Sequence, residues 1–241
     1  RWDAAPSGYF GDNLSCKWQY DVTTGAMVIT PAEGFENNAS FTNATALTSV
    51  VASAGVTWTS IKSFDVNIPA GCSNIKAKGD LQQFFRNCTS LVSADLEGLD
   101  TSEVTNLYAL FLNCKVLTSV NFAGWDTSNV TNMYDLFSTA QSITTINLSS
   151  FDFSKVTNTT GMFYNCGQLT EILVGPDCSF SKVTTSTNMF YGCNRLKGGA
   201  GTNFDSTSHI DVSGACIDRV ANNASWWGIR TGYLTCKTAV C

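Results

Sequence analysis

The chain has 241 residues, and only 14% of them are charged, with 14 Lys and Arg against 19 Asp and Glu for a net charge of −5. This balance excludes nucleic acid as a partner, because such binding depends largely on neutralising phosphates. Aromatic residues at 12% and only 4 prolines argue against disorder, and no apolar run approaches the ~18 residues of a membrane-spanning segment.

The missing charge is replaced by 25 serines, 29 threonines and 20 asparagines, many of which fall in an internal repeat. Leu96–Val120, Phe122–Ile146 and Leu148–Ile172 align with a period of 26 residues. An irregular unit precedes them and a unit one residue longer follows, so at least five units cover residues 66–198. Units of this length cannot bury an apolar face alone and must stack.

Each unit is predicted to contain a strand, a turn and a short helix. Leu117–Phe122 alternates apolar and polar residues, as a half-buried strand does, and Ile143–Leu148 and Leu169–Leu173 are its equivalents. Val130–Phe137 spaces apolar residues by three and four, which favours a helix that Asp126 would cap. We therefore predict an α/β repeat solenoid, a leucine-rich-repeat stack of units of about 26 residues.

Two repeated positions are predicted to form buried columns. One alternates only between Cys and Ala, which is typical of a small buried site, although disulfides between successive units remain an alternative. The other is always Phe. The buried ladder therefore consists of Cys88, Cys114, Cys166, Cys193, Phe85, Phe111, Phe137, Phe163 and Phe190.

The ten cysteines indicate an oxidising compartment. Six of them lie outside the ladder and are disulfide candidates, with fifteen pairings left open. They are Cys16, Cys72, Cys178, Cys216, Cys236 and Cys241.

Eight Asn-x-Ser/Thr sequons exceed the number expected by chance in such a Ser- and Thr-rich chain. The candidates for N-glycosylation are Asn13, Asn38, Asn43, Asn87, Asn129, Asn147, Asn158 and Asn223. The chain begins at Arg1 instead of Met, which we interpret as a signal peptide already removed. Together with the cysteines, the sequons predict an extracellular or cell-surface location.

The repeat resembles the BspA-type leucine-rich repeat of bacterial and protist surface proteins. The resemblance rests on Trp125–Phe137, which reads WDTSNVTNMYDLF, followed by strands like Leu117–Phe122. Gly11–Tyr20 with Thr24–Thr30 resembles the β-hairpin cap that begins such domains.

Further segments resemble the terminal cap of the same family: Leu196–Thr202, Ala215–Asp218 and Gly232–Thr235. The expected organisation is a β-rich N-terminal cap with irregular first units in 1–65, regular repeats in 66–198 and an irregular C-terminal cap in 199–241. The resemblance implies an extracellular scaffold for adhesion to proteins, cells or surfaces.

No catalytic, cofactor or metal site is expected. The one histidine, His209, has no Gly-x-Ser-x-Gly motif to accompany it and lies in the cap region. The repeated Asp100, Asp126 and Asp152 are explained by capping without calcium.

The favoured function is non-enzymatic adhesion to, or recognition of, an extracellular protein or glycan. Outward residues of the strands, Ser119, Asn121, Thr145 and Asn147, are the predicted binding face. The repeated tyrosines are less constrained, and some are candidates for ligand stacking. The alternative is a glycosylated structural subunit that binds copies of itself through its caps in a fibre or coat.

Overall fold

The computed structural model describes residues 5–176, 178–198, 203–204, 210–215, 217–218 and 234–236. In these ranges the protein consists mostly of short β-strands and turns, with a single α-helix, α1 (Thr45–Ser53). The strands are β1 (Ser7–Phe10), β2 (Cys16–Asp21), β3 (Ala26–Pro31), β4 (Ser40–Thr42), β5 (Ser63–Val66), β6 (Ile75–Asp80), β7 (Ser93–Asp95), β8 (Leu99–Asn106), β9 (Ser119–Asn121), β10 (Thr145–Leu148), β11 (Glu171–Val174), β12 (Ile217–Asp218) and β13 (Leu234–Cys236).

The N-terminal strands β1, β2 and β3 form an antiparallel meander. The turn between β2 and β3 is fixed by the Asp21 carboxylate, which accepts hydrogen bonds from the N–H and the hydroxyl of Thr23 at 2.8 and 2.6 Å. Gly25 closes the turn at φ +77°, a backbone conformation that side chains disfavour. Alternate residues of the meander, including Trp18 and Met27, are fully buried and begin the core.

Beyond the meander the sheet grows by parallel strands. β5 pairs with β3, β7 with β5 and β9 with β7, so that Ser63, Ser93 and Ser119 lie side by side. A second parallel sheet contains β4, β6 and β8. Its direction is continued by isolated bridges between successive units, from Asn106 through Asn132 to later units.

The prediction of a short helix in each unit is wrong. Val130–Phe137 consists of turns and one bridge. N–H groups in these turns point to the next unit instead of along a helix, as when Phe111 donates to the Leu136 carbonyl at 2.9 Å. Each turn segment contains two residues with left-handed backbone, four positions apart, such as Ala109 (φ 53°) and Asn113 (φ 63°), and these interrupt any helix. The apolar spacing by three and four is met equally well by these turns.

A column of phenylalanine rings runs through the core. Phe85 and Phe111 stack with ring centroids 5.0 Å apart and planes 4° from parallel. The column continues from Phe111 through Phe137 and Phe163 to Phe190 at 5.4, 6.1 and 5.6 Å. All five rings are buried, so each unit supplies the surface that covers its neighbour's ring.

The cysteine column lies beside the phenylalanines as buried free thiols. The Sγ of Cys114 donates to the Phe85 carbonyl of the preceding unit at 3.0 Å. Cys166 and Cys193 make the equivalent bond to the preceding phenylalanine carbonyl at 3.1 and 3.0 Å. Burial raises the pKa of the Cys114 thiol to about 12 and raises that of Cys88 further still.

In the described part of the chain the strand ladder is interrupted between β9 and β10, which belong to different sheets. Thr118 donates its N–H to the carbonyl of Val92 one unit earlier at 2.8 Å, but Thr144 makes no equivalent bond to Thr118. Phe122 stands at this junction where the neighbouring units have leucine, and it packs edge-on against Trp125 and Phe151 at 4.9 and 5.1 Å. These rings need more room than leucine does between two strands.

Beyond the interruption, β10 and β11 are parallel neighbours, and β13 and β12 follow on the far side of β11. The predicted C-terminal cap in 199–241 is described only in part. His209 lies outside the described residues.

Buried threonines join successive units on the turn side. The Thr127 hydroxyl donates to the carbonyl of Asp152 at 3.1 Å and accepts the N–H of the same residue at 2.8 Å. Thr101 makes the same pair of bonds to Asp126. Each of these aspartate carboxylates accepts the N–H of the residue two positions later, as Asp126 accepts from Ser128 at 2.9 Å. This is the bond of a helix cap, although no helix follows.

We expect Thr127→Val, which keeps the shape and loses the hydroxyl, to lower the free energy of unfolding by about 1–3 kcal/mol, because both backbone groups of Asp152 lose their partner. Thr127→Ser retains the hydroxyl and is the matched control. Urea unfolding followed by circular dichroism measures the difference. Equal stability of Thr127→Val and the parent protein would contradict the role of this hydroxyl.

Candidate functional site on the outer strand face

The strands β5, β7, β9 and β10 expose alternate residues, which we call the outer strand face. In each strand the intervening residues, such as Phe64 and Ile146, turn into the core. The outer strand face consists of Ser63, Asp65, Ser93, Asp95, Ser119, Asn121, Thr145 and Asn147.

The four predicted binding residues all lie on this face, but they divide between two sheets. Ser119, Thr145 and Asn147 are exposed, while Asn121 is half-buried. The interruption between β9 and β10 separates Ser119 and Asn121 from the other two. The structure therefore brings these residues to one side of the units without a continuous strand ladder beneath them.

Asn121 is half-buried because its side chain is held by neighbouring carboxylates. Its amide Nδ2 donates to Asp95 Oδ1 at 3.0 Å and to Glu97 Oε2 at 3.1 Å. Its Oδ1 accepts the N–H of Ala123 at 3.0 Å. Both N–H groups of the Asn121 amide are thus used to hold the two carboxylates.

One further carboxylate lies next to Asp95 in the register of the sheet, since Asp65 of β5 is paired with Asp95 of β7. Burial raises the pKa of Asp65 above its usual 3.8, and the like charge of Asp95 raises it further. This end of the outer strand face is therefore electronegative, whereas the end at Thr145 and Asn147 carries hydroxyl and amide groups.

A shallow depression of about 380 Å³ opens beside these carboxylates. It is lined by Val66, Ile68, Asn74, Asp95, Glu97, Gly98 and Gly124. Such a surface can accept hydrogen bonds from a partner and bury a small apolar group.

Sequence reasoning missed Asp65, Asp95 and Glu97. The 26-residue period is irregular before Lys78, so the sequence alone does not align the unit containing β5 with the later units. A usable signal exists in Ser63-Phe-Asp65 and Ser93-Ala-Asp95, which repeat the same small–apolar–acidic strand.

The disulfide candidates are described in part. Cys16, Cys72 and Cys178 are free thiols, and Cys16 is fully buried with its Sγ donating to the Ser40 carbonyl at 3.6 Å. Burial raises the pKa of both Cys16 and Cys178 to about 12. Cys216 and Cys241 lie outside the described residues, and Cys236 is placed only as the end of β13. Disulfide formation stays a prediction.

The sequon asparagines differ in how their side chains are engaged. Asn129 is tied on both sides, because Nδ2 donates to the Ser102 carbonyl and Oδ1 accepts from Lys155, each at 2.8 Å. Asn158 is half-buried, whereas Asn223 lies outside the described residues. The exposed sequon residues are Asn13, Asn38, Asn43, Asn87, Asn129 and Asn147.

Within the described ranges, no group of three or more His, Cys, Asp or Glu side chains is arranged to hold a metal ion. In the same ranges no helix combines the length and the apolar character needed to cross a membrane.

Parallel strands added one per unit, with a buried phenylalanine column behind them, define a β-rich repeat protein of the leucine-rich-repeat-like class. The chain belongs to the family described as "Mycoplasma protein of unknown function, DUF285", whose profile matches residues 79–204. No curated protein matches it in sequence. A crystal structure of a T. pallidum leucine-rich repeat protein is similar, with 17% identity, a TM-score of 0.40 and coverage of 74% of this chain and 86% of that one.

The paired carboxylates give a pH-dependent prediction. Because the folded-state pKa of Asp65 is raised, the native state holds a proton there that the unfolded state releases, and the contribution of Asp65 to stability falls as the pH rises just above 3.8. We expect Asp95→Asn to lower the Asp65 pKa only part of the way toward its usual value, since burial remains. Carboxyl-carbon NMR titration measures both values, with Asp152→Asn as a distant control. An unchanged Asp65 pKa in Asp95→Asn would refute the coupling.

Proposed function

We propose that this chain is a non-enzymatic recognition module of a cell surface, a leucine-rich-repeat solenoid that binds a protein partner through its outer strand face. The observation that carries the proposal is the register of this face. Successive units place hydroxyl, amide and carboxylate groups in two rows, from Ser63 to Ser119 and from Asp65 to Asn121. An extended, regularly spaced polar surface of this kind suits a large partner better than a small substrate.

The chemistry of the thiols supports a binding role over catalysis. The ladder cysteines are buried and their pKa values are raised, so they are protonated and poor nucleophiles. Their hydrogen bonds to phenylalanine carbonyls give them a structural task instead.

An extracellular location is supported by the resemblance to BspA-type surface proteins and by the exposure of most sequons in the described part of the chain. Among the exposed sequon asparagines only Asn129 donates its Nδ2 to another described residue, so the remaining candidates to carry glycan are Asn13, Asn38, Asn43, Asn87 and Asn147. A glycan on Asn147 would border the outer strand face and limit the partners that reach it.

The alternative, a fibre or coat subunit, is favoured by one observation at the N-terminal meander. Tyr9, Leu14 and Val22 are 52, 61 and 66% exposed and lie close together in sequence. β1 is moreover an edge strand of its sheet. An apolar end with an open edge is suited to docking a second copy.

We expect the labelled domain to bind saturably to at least one of immobilised collagen, laminin and vitronectin, and Thr145→Arg to weaken that binding at least about tenfold (~1.4 kcal/mol). Thr131→Arg is the control, because Thr131 is equally exposed but lies on the turn half of its unit. Surface plasmon resonance measures the affinities. Absence of saturable binding, or equal loss in both variants, would refute recognition through the outer strand face, and filaments in negative-stain microscopy would favour the fibre.

A second expectation concerns the native protein's mass. We expect enzymatic release of Asn-linked glycans to lower the intact mass measured under non-reducing conditions. Such a loss would show that the protein had passed through a secretory pathway. Alkylation should spare the ladder thiols until the chain is unfolded, since their pKa values are raised. If no glycan mass is lost and all ten cysteines react after unfolding, the extracellular assignment is wrong.

A further inference from the structure

The turn halves of four successive units form a second surface, distinct from the outer strand face. Their segments 107–113, 133–139, 159–165 and 186–192 are joined by backbone hydrogen bonds from each unit to the next. Six residues of these segments, the four tyrosines with Asp135 and Gly161 between them, are called the tyrosine step: Tyr108, Tyr134, Asp135, Gly161, Tyr164 and Tyr191.

Two pairs of tyrosine rings stack on this surface. Tyr108 and Tyr134 have ring centroids 5.1 Å apart with planes at 13°, and Tyr164 and Tyr191 have centroids 5.3 Å apart with planes at 14°. None of the four rings is buried, and Tyr191 is 45% exposed. The two pairs occupy different positions of the repeat, because Tyr164 aligns with Ser138, four residues after Tyr134. Tyr134 belongs to one unit and Tyr164 to the next, so the two pairs follow one another along the stack.

Asp135 lies between the two pairs. Gly161 has φ +59°, and a Cβ there would overlap the Asp135 carboxylate and lie 3.7 Å from the Tyr164 Cβ. The absence of a side chain at Gly161 therefore makes room for the carboxylate directly between Tyr134, its sequence neighbour, and Tyr164. Burial raises the pKa of Asp135, and the hydroxyls of Ser138 and Tyr134 offset part of that rise.

Asp135 is the one charged residue among the four turn segments; the others are apolar, hydroxyl, amide or aromatic. None of the ion pairs in the described part of the chain involves it. The Ser138 and Tyr134 hydroxyls use part of the accepting capacity of this half-buried carboxylate, and its remaining lone pairs can accept hydrogen bonds from hydroxyl groups of a ligand.

We infer that the tyrosine step binds a neutral oligosaccharide. Tyr134 and Tyr164 are half-buried and each stacks on a neighbouring tyrosine, so the part of each ring that remains accessible provides apolar contact for the C–H faces of two sugar units. The Asp135 carboxylate accepts hydrogen bonds from the sugar hydroxyls between them. These four segments contain no Lys or Arg, and Arg86 of the preceding turn segment 81–87 lies two units before Asp135, so an anionic glycan or a phosphate would be repelled by the Asp135 carboxylate.

Isothermal titration of the whole chain with maltohexaose, cellohexaose, xylohexaose, mannohexaose and N-acetylchitohexaose tests this inference. We expect at least one to bind, and Tyr134→Ala and Tyr164→Ala each to weaken its binding at least about tenfold (~1.4 kcal/mol). Tyr134→Phe, which keeps the ring, should bind within about threefold of the parent. Tyr9→Ala is the control, because Tyr9 is an exposed tyrosine outside the turn segments.

Asp135→Asn provides a second test that does not remove a ring. Asparagine tolerates the left-handed backbone at φ 54° and keeps the side-chain shape, so the fold should be preserved while the charge-assisted hydrogen bonds are lost. We expect at least about a tenfold loss of affinity with an unchanged thermal midpoint.

The inference is overturned if no neutral probe binds the parent protein, if the alanine and asparagine variants bind as well as Tyr9→Ala does, or if hexalysine displaces the sugar with higher affinity, which would assign the step to a cationic peptide. Thr145→Arg should leave oligosaccharide binding unchanged. Failure at the tyrosine step can therefore be told apart from failure at the outer strand face.

Discussion

Backbone hydrogen bonding between successive units is the constraint on which the rest of this structure depends. Each turn directs N–H groups at carbonyls one unit further on, as from Phe111 to Leu136 at 2.9 Å and from Phe137 to Met162 at 2.8 Å. Buried peptide groups need partners, and here the partners come from a neighbouring unit instead of the same helix. A unit in isolation would leave these groups unsatisfied, so the units fold only as a stack.

The side chains follow from that spacing. Since the backbones of adjacent units are hydrogen-bonded neighbours, side chains at equivalent positions of successive units lie in contact and must pack against one another. Aromatic rings do so by stacking, as Phe111 and Phe137 do at 5.4 Å. Threonines do so by bonding the next backbone, as Thr127 does to Asp152. Where like charges do recur at one repeat position, as at Asp100, Asp126 and Asp152, the carboxylates accept hydrogen bonds from the N–H two residues on.

The period predicted the strands and the buried columns well, because both depend on which residues face inward. Strands β9, β10 and β11 begin within two residues of the predicted positions. The helix at Val130–Phe137 failed because inward spacing does not report the backbone: left-handed residues such as Asp135 and Thr139 are not recognisable in a single sequence. Of these two residues, Asp135 is also part of the tyrosine step.

The acidic end of the outer strand face was missed for a different reason. Asp65 and Asp95 become neighbours only through the pairing of β5 with β7, and the spacing between those strands departs from the regular period. The predicted residues on β9 and β10 lie on one side of their units, but the sequence of these strands does not indicate that the ladder stops between them. Phe122 lies beside that interruption and packs against Trp125 and Phe151, whereas the repeat pattern treats it as equivalent to leucine.

The interruption between β9 and β10 has a mechanical consequence. At this junction the strands β9 and β10 are not paired, but the turn halves remain hydrogen-bonded, since Leu107 donates its N–H to the Asn132 carbonyl at 2.9 Å. The next pair of units has the equivalent bond from Met133 to Asn158, also at 2.9 Å. Opening the stack on its strand side therefore breaks no ladder bond between β9 and β10, whereas between β5 and β7 or β7 and β9 it must. Side chains alone join the two strand halves there, since the Ser142 and Ser150 hydroxyls donate to the carbonyls of Lys115 and Phe122 at 2.8 and 3.4 Å. Opening at this junction is therefore resisted by side-chain contacts and not by backbone pairing between strands.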